Sequence, residues 1–119
     1  MTYQSLKSYL LSKPQTTLEF PFGDDVYVFK VAGKMFALVA WQDEVMRVNL
    51  KCDPDEALAL RDIFAAVIPG YHMNKQHWNT VIFDGSIPQG EIERMIDNSF
   101  KLVVSNLTKK AQQSILLHL

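Results

Sequence analysis

Apolar residues recur along this chain with two periods, and each change of period marks a new element. Behind Thr2, a helix-capping residue type, Tyr3, Leu6, Tyr9 and Leu10 fall at helical spacing and predict a first helix ending near Leu11, before Pro14. From residue 13 to 25 the apolar positions Leu18, Phe20 and Phe22 alternate around Pro21, which predicts a loop lying extended over the core. Residues 26–31, 35–41 and 47–52 are rich in β-branched and aromatic side chains. Ala32-Gly33-Lys34 and Gln42-Asp43-Glu44 separate them, which predicts a three-stranded meander with tight turns.

Asp53-Pro54-Asp55-Glu56 reads as a helix start, with Asp53 at the cap, Pro54 first in the helix and Glu56 reaching back to complete a capping box. Ala57, Leu60, Phe64 and Val67 extend a buried stripe, and Pro69-Gly70 closes the helix. Residues 71–73 then predict a short strand ahead of an Asn74-Lys75 turn, and residues 78–83 a further strand bounded by Asp84-Gly85. Helical spacing returns after Pro88 at Ile92, Met95, Ile96, Ser99, Phe100 and Val103, with Glu91, Arg94 and Lys101 on the other side. Thr108 begins a last short helix through Leu117. The order α-β-β-β-α-β-β-α-α predicts an α+β fold in two layers, an antiparallel sheet packed by helices, as one domain over residues 1–119.

Composition narrows the function classes. The chain is 48% hydrophobic and 21% charged, an ordinary globular balance, and no run approaches the roughly 20 apolar residues of a membrane helix. The first seven residues lack the basic start and apolar block of a secretory signal, so a cytoplasmic protein without membrane association is expected. Cys52 is the only cysteine, which rules out an internal disulfide and suits a reducing compartment. Twelve basic against thirteen acidic side chains give a net charge of -1. Any binding to nucleic acid must therefore rest on a local patch, because phosphate contacts supply most of that affinity.

Candidate chemistry concentrates between Gly70 and Gly90, where His72, Asn74, Lys75, His77 and Trp78 set hydrogen-bonding groups and a cation beside an indole. Such a mixture can hold a phosphate or polar ligand next to a stacking ring. The competing structural reading makes Trp78 a core anchor and Asn74 a turn former. His72 and His77 have only Asp84 nearby as a further ligand type, so no metal and no cofactor is expected. Cys52 shares its strand phase with Val48 and Leu50 and reads as a small buried hydrophobe. Ser86 lacks a nucleophile elbow, and the segment from Gly85 to Gly90 lacks the Lys and Ser/Thr of a phosphate-binding loop, so no enzyme is expected. On the third strand of the meander Arg47, Asn49 and Lys51 alternate with Val48 and Leu50 and project together away from the core, and Lys30 joins this face if the first strand pairs nearby. This is either a solvated strand surface or a strand that follows a phosphate backbone, and the acidic Asp43-Glu44 tip opposes deep insertion into DNA.

His72-Met73-Asn74-Lys75-Gln76-His77-Trp78-Asn79-Thr80, followed by Asp84-Gly85-Ser86-Ile87-Pro88, resembles the signature of the MmcQ/YjbR family of small bacterial proteins. Lys13-Pro14 and Ser99-Phe100 extend the resemblance along nearly the whole chain. The resemblance implies a double-wing α+β fold and non-enzymatic DNA binding, here through Arg47, Asn49, Lys51 and the turn holding His72, Asn74, Lys75, His77 and Trp78. A rival reading is a protein-interaction or small acidic-ligand module. In it Phe20, Phe22, Trp41 and Trp78 line a groove, and His72, Lys75 and His77 orient the acid.

Overall fold

Local capping sets the helix starts. In a computed structural model, which describes residues 1–117, Thr2 Oγ1 accepts from the Ser5 amide at 3.2 Å and the Ser5 hydroxyl accepts from the Thr2 amide at 3.0 Å. This reciprocal box opens α1 (Tyr3–Leu11). Asp53 caps α2 (Pro54–Ile63), its Oδ1 accepting from the amides of Asp55 and Glu56. The expected second half of that box does not form, because the Glu56 carboxylate instead accepts from Arg94 at 2.9 Å and from the Asn98 amide at 3.3 Å. An ion pair to a neighbouring helix outcompetes the return to its own cap. α3 (Gln89–Ser105) buries the stripe read from the sequence, and Thr108 caps α4 (Lys109–Leu116) through the Ala111 amide. The last two residues of the expected domain lie outside the described residues.

Six strands form one antiparallel sheet: β1 (Thr16–Glu19), β2 (Tyr27–Val31), β3 (Lys34–Gln42), β4 (Val45–Lys51), β5 (Val67–Pro69) and β6 (Trp78–Ile82). Their spatial order is β1-β2-β3-β4-β6-β5. The α+β, two-layer expectation holds, with one strand more than the sequence suggested. β1 lies within the segment expected to be a loop. Gln15 adopts a positive φ of 56° after Pro14 and turns the chain, so that residues 16–19 pair with β2. The short strand expected at residues 71–73 lies earlier, at β5, because α2 stops at Ile63 and Phe64 is already extended. Val67 consequently belongs to the sheet and not to the helical stripe.

The register of β2 on β3 steps from Phe29↔Ala37 to Lys30↔Met35, so Phe36 is an extra residue, a β-bulge. Both Phe36 and Ala37 turn into the core as a result. The Phe36 carbonyl accepts from the buried Ser99 hydroxyl at 2.6 Å, and the same oxygen of Ser99 accepts from the Lys51 amide at 2.9 Å. One small side chain thereby ties α3 to two strands where the ladder is interrupted.

All four helices contribute to a single main core on one side of the sheet, with Phe100 edge-on to Phe36 at 5.3 Å. A second, smaller cluster of Val28, Leu38 and Trp78, flanked by Val26, Met35 and Met73, lies apart from it and contains no helix residue. The sheet is thus covered on one face and largely open on the other. Among the described residues no helix is long and apolar enough to cross a membrane.

Candidate binding site on the open sheet face

Alternation along β4 creates the site. Met46, Val48 and Leu50 are buried in the core, while Arg47, Asn49 and Lys51 point to the opposite side as the sequence indicated. Pairing extends these positions into rows. Val28, Leu38, Asn49, Thr80 and Ile68 line up across β2, β3, β4, β6 and β5, and Ala40, Arg47 and Ile82 form the row beside them. The Thr80 hydroxyl lies 2.5 Å from Asn49 Oδ1, which fixes that amide with its NH2 left as a donor.

Walls come from two tight segments. The β3–β4 hairpin turns through Asp43 and Glu44, both at positive φ, and carries Trp41 and Gln42 at the end of β3. Between β5 and β6 the chain folds back against Trp78 so closely that a Cβ at Gly70 would sit 2.9 Å from both the Trp78 Cβ and its carbonyl oxygen. Gly70 donates to the Trp78 carbonyl at 2.9 Å, the Asn74 side chain accepts from the Gln76 amide, and the Cys52 amide donates to the His77 carbonyl at 2.7 Å. Arg61, near the end of α2, fastens this loop from beneath, donating to the Lys75 carbonyl and, through Nε, to Asn79 Oδ1 at 2.7 Å. Nothing in the local sequence pattern marked Arg61 as the anchor, since its partners lie 14 and 18 residues away.

The eight candidate residues do not gather at one point. Arg47, Asn49 and His72 line a concavity of about 200 Å³ on the open face, together with Trp41, Tyr71 and Thr80. Lys51, Asn74, His77 and Trp78 line a separate groove of about 400 Å³ at the end of β4, beside the Asp53 cap of α2. The Lys75 Nζ lies 5.3 Å from the centroid of the Tyr71 ring at the wall of the first concavity. Trp78 is 9% exposed and anchors the second apolar cluster, so its ring serves packing. Tyr71 (61% exposed) is the accessible aromatic of the concavity, whereas the Trp41 ring shares the phase of Met46 and packs against Tyr3 and Tyr27 on the helix-covered side of the sheet. Tyr71 was not singled out by the sequence, although it sits at the head of the candidate segment.

Arg47 Nε is shielded from solvent and has no acceptor. Among the described residues, the ion pairs join Lys13 to Asp97, Lys30 to Glu19, and Arg94 to Glu56 and Glu91; Arg47, Lys51 and Lys75 have no carboxylate partner. Lys30 is therefore committed to Glu19 and does not add a free cation to the face. Cys52 is buried, and burial pushes its thiol up to about 11, with Glu56 and Asp53 acting in the same direction. That is the opposite of an activated nucleophile. No group of three or more His, Cys, Asp or Glu side chains that could hold a metal occurs among the described residues.

The geometry can be set beside known proteins. A model of the YjbR family matches residues 11–102. The chain belongs to the YjbR family. It is 36% identical to the Escherichia coli O157:H7 protein YbdF over 95% of this chain and 93% of that protein, and 33% identical to YjbR of Escherichia coli K12 along the full length of both. The crystal structure of the Deinococcus radiodurans protein DR2400 superposes with a TM-score of 0.88 at 35% identity, covering 96% of this chain and 87% of that one. A Pseudomonas syringae crystal structure covers 86% of this chain at a TM-score of 0.75 and 30% identity. This YjbR-family chain therefore shares its overall architecture with solved relatives.

Proposed function

We propose that this YjbR-family protein binds nucleic acid, without catalysis, through the cations of the open sheet face. The observation that carries the reading is that Arg47 and Lys51 project from the outward side of one strand, with the Lys75 ammonium near Tyr71 on the adjoining loop, and none of the three has a carboxylate partner among the described residues. A cation that stabilises the fold is normally paired or hydrogen-bonded internally, as Lys13, Arg61 and Arg94 are here. Arg47 and Lys51 are four positions apart on one strand, so their backbone positions lie roughly 13 Å apart, a spacing suited to separate phosphates along a strand of nucleic acid. With a net charge of -1 no diffuse positive field substitutes for these contacts. In this reading the protein works in the bacterial cytoplasm.

The test is titration of labelled DNA, single-stranded and duplex, at low and moderate salt, against the native protein and the Arg47→Ala, Lys51→Ala, Lys75→Ala triple variant. Native binding should be weak and steeply salt-dependent, and each lost phosphate contact should lower the log-log salt slope by about 0.9 on duplex or about 0.7 on single strands. Equal affinity of the two proteins, or absence of binding at low salt, would overturn the reading.

A further inference from the structure

Resting on that reading, we infer that the concavity walled by Tyr71 is a stacking site for an unpaired nucleobase, so that the ligand class is single-stranded nucleic acid and not duplex. Four observations converge. Tyr71 keeps an accessible ring at the wall of the concavity. The Lys75 ammonium lies 5.3 Å from the centroid of that ring and sets a cation beside the stacking platform. A tyrosine ring, with only two side-chain torsions to fix, stacks a base with little loss of its own freedom.

At the floor, the shielded Arg47 Nε lacks an acceptor, while Asn49 has its oxygen engaged by Thr80. A phosphate oxygen or a base carbonyl supplies what both groups need, since guanidinium and amide donors take either. The volume, about 200 Å³, suits one planar group and not the width of a double helix. A duplex also offers only base edges, at the bottom of its grooves, and keeps its base faces stacked on one another. Finally, the projecting β3–β4 tip carries Asp43 and Glu44 directly beyond Gln42. Two carboxylates there oppose the densely charged duplex backbone more than the sparser charge of a flexible single strand. An exposed aromatic ring beside cations is the chemistry by which single strands are held without sequence preference.

The experiment compares a labelled twelve-residue oligothymidylate with a labelled twelve-base-pair duplex at one low salt concentration, by fluorescence anisotropy. The single strand should bind more tightly. Tyr71→Ala should weaken it by about 5- to 150-fold, the range for losing one stacked base, while Tyr71→Phe restores it. Tighter duplex binding, or a Tyr71→Ala protein that holds the single strand as well as the native one, overturns the stacking site while leaving nucleic-acid binding in place if the triple cation variant still loses affinity. Absence of binding by either form overturns both.

Discussion

The two faces of β4 follow different rules. Toward the helices, Met46, Val48, Leu50 and then Cys52 beyond the strand end are buried in a close-packed core where each atom has neighbours. Toward the other side, Arg47, Asn49 and Lys51 occupy the intervening positions, Arg47 and Asn49 beside Tyr71 and His72, and Lys51 beside the start of α2 and the end of α3. Close packing is therefore concentrated on one side of a single strand, and the polar side chains lie on the other. What marks the open face is a row of polar positions, Arg47 and Asn49, beside the exposed ring of Tyr71.

The largest test of this contrast is Phe100→Ala. Phe100 is buried against Phe36, and its loss should cost about 3–5 kcal/mol in urea denaturation. A cost below about 1 kcal/mol would mean that the covered face does not carry the fold. Ser99→Ala probes the same side more finely. It strands the Phe36 carbonyl and the Lys51 amide together, so a loss of about 1–3 kcal/mol is expected. An unchanged denaturation midpoint would show that the bulge does not depend on that hydroxyl. The smallest effect belongs to the open face, where Lys51→Ala or Lys75→Ala should shift stability by no more than about 0.5 kcal/mol. A loss comparable with that of Ser99→Ala would make those lysines structural and erase the contrast.

Much of the architecture was legible because local signals agreed with global ones. Thr2, Asp53 and Thr108 cap helices as their residue types suggest, and the stripe from Ile92 to Val103 is buried at all six positions read from the sequence. β1 and β5 escaped because strands of four and three residues are too short to show a period, and both exist through pairing with distant partners. The outward phase of Arg47, Asn49 and Lys51 was correct, since alternation is a property of the strand itself. Their division between two concavities was not legible. It depends on the path of residues 70–77, set by the Gly70 approach to Trp78 and by Arg61 reaching across from α2. Trp78, the most conspicuous residue of the candidate segment, proved to be a packing residue, and its neighbour across the loop, Tyr71, has the accessible ring.

The brevity of β1 and β5 also governs how this molecule meets its own copies. An open sheet ends in two rows of unpaired backbone groups, which are templates for joining sheets edge to edge. Here one border is four residues long and ends at the charged Glu19, and the other is three residues long and ends at Pro69, which has no amide hydrogen to donate. Neither border offers a ladder long enough to seed fibrillar growth. The protein can therefore keep aromatic rings exposed at high concentration without those rings lying beside an aggregation-prone edge.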